Sequence, residues 1–178
     1  MGPVTLQGVR LFLQRLSERY AGAGEFYLLG GSALCLLGSS RETRDIDYTV
    51  ELPPHTRAEF EQALSQLANE MQLDVEHVPL AEFIPLPPRA RERRRMVGRF
   101  GQLDVYLFDL YSIALSKIAR GFEADLEDVM FMLNERLIDL SELEKHFDLI
   151  IPRALQSDID PEEFRGYFQE IRRRATRR

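Results

Sequence analysis

Apolar and polar positions alternate along this chain in two rhythms. Residues 5 to 20 place Leu6, Val9, Leu13, Leu16 and Tyr20 on one side of a helix that Thr5 can cap, before Ala21-Gly22-Ala23-Gly24 ends it. Phe26-Tyr27-Leu28-Leu29 predicts a short buried strand. Gly30-Gly31 then allows a turn, and Ser32 is expected to cap a helix from Ala33 to Leu37. Asp45 to Val50 predicts a second strand, in which Asp45 and Asp47 share one face and Ile46 and Tyr48 the other. Thr56-Arg57-Ala58-Glu59 has the form of a capping box for a helix lined by Phe60, Leu64, Leu67 and Met71. Leu73 to Val78 follows as a strand, and the prolines between residues 79 and 88 predict an irregular loop.

The second half changes rhythm. Strands are expected near residues 95 to 100 and 103 to 108, the latter carrying a single acid, Asp104. Helices follow over 109–120, with Asp109 where a cap is needed, 124–134, 141–150, and onward from Asp160-Pro161. Phe164, Tyr167, Phe168 and Ile171 give the last helix an apolar side that either completes the core or meets a partner. The resulting class is α/β (α+β), a mixed β-sheet backed by helices. Residues 1–108 are expected to form the core and 109–178 a C-terminal helical part of the same domain.

Composition narrows the chemistry. The 178 residues are 44% hydrophobic and carry a formal net charge of −6, as suits a globular chain with a real core. With one cysteine, Cys35, and three scattered histidines, a thiolate or zinc site is not expected, so any metal would sit among oxygen ligands. No basic segment followed by an apolar stretch opens the chain and no apolar run would span a bilayer. A cytoplasmic protein without a membrane partner is therefore expected. Two arginine clusters break the acidic balance. Residues 89 to 99 hold six Arg against one Glu, and the run from Arg172 holds five Arg and no acid. Each could hold a polyanion or simply be solvated.

Candidate chemistry gathers in Leu28 to Val50. A Gly-rich turn entering a helix leaves backbone N–H groups that suit phosphate. Two carboxylates on one strand face repel each other, and a divalent cation would relieve that repulsion. The bland alternative is a polar strand end, with Asp45 capping and Asp47 paired to an arginine. Asp104, within an otherwise apolar strand, needs a partner or a metal.

The order of hydrophobic strand, Gly30-Gly31-Ser32, short helix and Asp45-Ile46-Asp47 resembles the nucleotidyltransferase superfamily, which includes DNA polymerase beta and kanamycin nucleotidyltransferase. Residues 28 to 50 resemble more closely the small bacterial AbiEii-type toxins of toxin–antitoxin systems, whose Arg-x-Thr-x-Asp-Ile-Asp run is matched by Arg41, Thr43, Asp45, Ile46 and Asp47. The resemblance implies a nucleotidyltransferase fold. It also implies nucleotide binding by Gly30, Gly31, Ser32, Arg41, Thr43 and Arg44, and magnesium (or manganese) on Asp45, Asp47 and a third acid. Leu103-Asp104-Val105 fits the pattern of that acid. Ser116-Lys117-Ile118-Ala119-Arg120 with Asp125 and Asp128 resembles a second block of the same group. There Lys117 would contact phosphate, although a lysine–aspartate bridge between adjacent helices explains these residues equally well. The implied reaction moves a nucleoside monophosphate from a nucleoside triphosphate to a hydroxyl of RNA such as tRNA, of a protein or of a small molecule, with an antitoxin as a further partner. A relative that binds nucleotide or protein without turnover is the alternative.

Overall fold

The computed structural model describes residues 5–40, 43, 45–79 and 84–177. The chain divides into two compact units: Met1–Val78 with Arg95–Phe108, and Pro79–Arg94 with Asp109–Arg178.

The first unit is built on a five-stranded mixed sheet. Its strands are β1 (Gly24–Leu28), β2 (Asp45–Glu51), β3 (Asp74–His77), β4 (Arg95–Phe100) and β5 (Leu103–Leu107), in the order β3-β2-β1-β5-β4. β1 runs antiparallel to β2 and parallel to β5; β2 runs parallel to β3, and β4 antiparallel to β5. Phe26, Ile46, Tyr48 and Val105 point to one sheet face and are buried, because side chains alternate along a strand. Phe26 stacks on Tyr48 with ring centroids 5.1 Å apart. Phe60 of helix α3 (Arg57–Met71) lies 6.3 Å from Tyr48 and meets Tyr20 edge-on at 5.2 Å.

Helix α1 (Leu6–Arg19) packs against α3. Val9, Leu13 and Leu16 of the expected stripe are buried, joined by Phe12, whereas Leu6 at its start is exposed. Thr5 caps it by accepting the Gly8 N–H at 3.1 Å. The hydroxyl of Thr56 does not cap α3. It donates to the Pro53 carbonyl and accepts from the Tyr20 hydroxyl, and a 3-10 turn at Pro54–Thr56 takes the place of the expected capping box.

The second unit is helical. A 3-10 turn (Ala90–Arg93) precedes α4 (Leu110–Arg120), α5 (Glu123–Asn134), α6 (Leu140–Ile150), a further 3-10 segment (Ile151–Ser157) and α7 (Pro161–Thr176). Asp109 caps α4 by accepting the Tyr111 and Ser112 N–H groups, and Asp160 caps α7 by accepting those of Glu162 and Glu163. α6 starts just before Ser141, because Asp139 accepts both the Glu142 N–H and the Ser141 hydroxyl. The apolar side of α7 is spent on the core: Phe164, Phe168 and Ile171 are buried, and Phe168 stacks on Phe147 at 4.1 Å. No helix of the described residues is long and apolar enough to cross a membrane.

Candidate functional site

The first unit brings Gly30, Gly31, Thr43, Asp45 and Asp47 to one corner. Helix α2 spans Gly30–Leu36, three residues earlier than the sequence suggests, with Leu29 at its N-cap. Gly30 has φ +52°, a left-handed conformation that glycine adopts without strain. A Cβ there would collide with the Asp47 carboxylate, so that carboxylate rests directly on the Gly30 backbone. A Cβ on Gly31 would come within 2.5 Å of Thr43 Oγ1. Thr43 in turn donates to Asp45 Oδ1 at 2.8 Å, which fixes one carboxylate while the glycines admit the other. Both aspartates are half-buried.

Ser32 is not the helix cap. It lies inside the first turn, fully buried, and its hydroxyl donates to the Leu29 carbonyl at 3.0 Å. The N–H groups of a helix's first turn have no intrahelical acceptor, so what this corner offers a phosphate is backbone rather than the Ser32 side chain. Arg41 and Arg44, which the resemblance assigns to nucleotide binding, lie outside the described residues.

Asp104 shares the sheet face of Asp45 and Asp47, but it does not stand beside them. Asp104 pairs with Glu25, and Glu25 with Glu51, whereas the Leu29 N–H reaches the Asp47 carbonyl at 2.9 Å. Asp104 is thus two strands and four residues from Asp47. At about 4.8 Å per strand and 3.3 Å per residue the separation is roughly 16 Å, too far for one metal site. Its carboxylate accepts two hydrogen bonds from Arg99, at 2.7 and 2.8 Å. The acid in the apolar strand therefore satisfies its charge with a guanidinium.

The acid that does face the corner is one the sequence reading passed over. β3 pairs with β2 in the register Asp45↔Asp74 and Asp47↔Glu76. Laterally paired residues point to the same face, with backbones about 4.8 Å apart. Glu76 is exposed and directly across from Asp47. The signal was present in Leu73-Asp74-Val75-Glu76, an acid–apolar alternation like that of β2, but the stretch reads equally as a packing strand. These side chains are in register without being converged: among the described residues no three His, Cys, Asp or Glu are gathered as a metal-binding group. On the opposite face, burial pushes the Tyr48 phenol up to about 12, so this residue stays neutral beneath the acids.

Lys117 takes the bridging alternative. Its Nζ donates to Asp125 Oδ1 at 3.0 Å and to Asp128 Oδ2 at 2.7 Å, linking α4 to α5 with all three residues at most 3% exposed. Arg120 adds a bond to Asp125 at 2.7 Å. The arginine clusters are also engaged. Arg89 pairs with Glu92, Arg93 grips buried Asp109 with two bonds, and Arg91, Arg94 and Arg95 have partners as well. In the tail, Arg172 pairs with Glu144, Arg173 with Glu170, and Arg174 with Glu123 and Glu170.

The sequence model of one protein family, described as nucleotidyltransferase of unknown function (DUF6036), matches residues 6–175. No curated protein and no solved structure matches the chain significantly.

Proposed function

The chain belongs to the DUF6036 family of nucleotidyltransferases of unknown function, and from that premise we propose that the corner of Gly30, Gly31, Asp45 and Asp47 binds a nucleoside triphosphate and transfers its nucleoside monophosphate to a hydroxyl. The observation that carries this reading is the absence of room for any side chain at Gly30, where the Asp47 carboxylate lies on the backbone at the start of α2. Such an arrangement puts carboxylates beside the first-turn N–H groups of α2, which have no intrahelical acceptor.

The donor set suits a hard cation, since it consists of carboxylate oxygens without sulfur or imidazole. Asp45 and Asp47 would hold magnesium (or manganese), with Glu76 across from them. Bound there, the cation would neutralise charge on the triphosphate and the departing pyrophosphate. The protein's own contribution is positioning. The glycines let phosphate approach the backbone, and Thr43 fixes Asp45. A carboxylate at the rim, a role we give to Glu76 because it pairs across from Asp47, would accept the acceptor's proton as the hydroxyl oxygen bonds to the α-phosphorus. The bond from that phosphorus to pyrophosphate breaks, and pyrophosphate leaves with the electron pair.

A second reading has its own support. Asp104 is distant, Lys117 is buried between two aspartates, and no three acids converge among the described residues. These observations favour a relative that binds nucleotide without turnover. One experiment separates the two. Calorimetry with magnesium and each nucleoside triphosphate is expected to show binding that Asp45→Asn and Asp47→Asn weaken at least tenfold. Labelled transfer to total RNA or protein by the wild type supports the enzyme. Binding without transfer supports the second reading, and no triphosphate binding rejects both.

The acceptor we favour is RNA or a protein side chain, and the setting a bacterial toxin–antitoxin pair, on the resemblance of residues 28 to 50. Growth arrest on expression, relieved by the neighbouring gene's product, would support that setting; unaffected growth argues against it.

A further inference from the structure

The face that carries Asp45 and Asp47 continues across the sheet into a patch that the reaction outlined above does not use. In the next row of side chains, β2 contributes Thr49, β1 Tyr27, β5 Tyr106 and β4 Met96, as their pairings show. Tyr27 is fully buried and rigidly held. It donates to Glu25, meets Phe108 edge-on at 6.1 Å and stacks on Tyr106 at 5.6 Å with the rings 26° from parallel. The Tyr106 ring is therefore fixed from one side while remaining partly exposed. Met96, in register with it, is 60% exposed, the most exposed large apolar side chain described in this unit. One row further along the face lie Arg99 and Asp104, joined by two hydrogen bonds. The bonds to Asp104, and more weakly the nearby Tyr106, hold the Arg99 guanidinium more firmly protonated.

Resting on the triphosphate reading above, we propose that Tyr106 and Met96 form a stacking platform for a nucleobase, bordered by the Arg99–Asp104 pair. A flat, immobilised ring beside a polarisable thioether suits the face of a base. A guanidinium and a carboxylate at the border supply the donor and acceptor types that read a base edge. Tyr106 lies two strands and two residues from Asp47, about 12 Å, so the base and the reacting phosphate of one substrate fit the same sheet face. At the border of such a platform Asp104 and Arg99 have a role that a metal site two strands away cannot give them.

The base belongs either to the nucleotide donor or to a polynucleotide acceptor, and the test separates these sources. Binding of the four nucleoside triphosphates, of inorganic tripolyphosphate and of a short single-stranded RNA is measured by calorimetry with magnesium. Wild type is compared with Tyr106→Ala, Tyr106→Phe and Met96→Ala. Met96→Ala alters an exposed edge residue, so it reads the platform even if Tyr106→Ala does not fold. Loss of about tenfold in nucleoside triphosphate affinity, with tripolyphosphate unchanged and Tyr106→Phe near wild type, supports a donor base. The same loss for RNA alone supports an acceptor base. Equal weakening of tripolyphosphate, or no weakening of any ligand, overturns the platform and leaves the triphosphate reading intact. A wild type that binds none of these ligands overturns both.

Discussion

Gly30 shows how one missing methyl sets up a site. Its backbone is left-handed and its Cβ position is taken by Asp47. Gly30→Ala should cost about 1–2 kcal/mol for the backbone conformation alone, more once the carboxylate is displaced. The measurement is a urea unfolding curve alongside magnesium-dependent triphosphate binding, and both should suffer. Gly31→Ala should reach Thr43 and, through it, Asp45. His146 makes a different residue-scale case. It is buried, its Nδ1 has no partner among the described residues, and Glu142 Oε1 lies 3.9 Å from Nε2. Burial, then Arg93, lowers its pKa, against the opposing pull of Asp109 and Glu142. The neutral form is therefore preferred in the folded protein. Its contribution is complete above the unfolded value of about 6.5 and is lost as pH falls through the lower folded value. The urea midpoint should drop more steeply below pH ~6.5 in the wild type than in His146→Phe. Parallel curves would remove His146 from the account.

At the scale of elements, the helices were legible because each writes its own apolar stripe and its own cap. Thr5, Asp109 and Asp160 cap where sequence reasoning puts them. Ser32 and Thr56 do not, because each hydroxyl found a nearer carbonyl. Alternation puts Asp45 and Asp47 on one strand face. Which face Asp104 takes, and how far along the sheet it falls, follows from the pairing of β5 with β1 across some eighty residues of chain. A separate pairing, that of β3 with β2, brings Glu76 opposite Asp47. The Lys117 bridge between α4 and α5 was one of two readings, and it is the contact the structure shows formed, with all three residues buried. Lys117→Met would remove the ammonium that bonds both buried carboxylates, Asp125 and Asp128, at a cost of about 3–5 kcal/mol. Denaturation checks that loss. A variant that kept its stability but lost triphosphate affinity would restore Lys117 as a phosphate contact.

The whole molecule is acidic, with a net charge of −6, and its arginines largely answer its own acids. Of the run from 89 to 99, Arg89, Arg93 and Arg99 pair with Glu92, Asp109 and Asp104; in the tail, Arg172, Arg173 and Arg174 pair with Glu144, Glu170 and Glu123. A polyanion seeking these guanidinium groups would have to displace carboxylates already in place, so the clusters give little free positive field to a triphosphate. The cation at the Asp45 and Asp47 corner would therefore have to supply most of the compensating charge. Triphosphate binding should vanish in the presence of a chelator rather than merely weaken. The two compact units make a further distinction measurable, because ligand binding protects the amides whose opening it opposes. At 100 times the dissociation constant, binding is worth about 2.7 kcal/mol against any opening that abolishes it. Hydrogen exchange with magnesium and triphosphate should slow amides at the start of α2 and along β2, leaving α4 and α5 around Lys117 near their ligand-free rates. Protection concentrated on α4 and α5 instead would move the phosphate site into the helical unit and overturn the assignment to Gly30, Asp45 and Asp47.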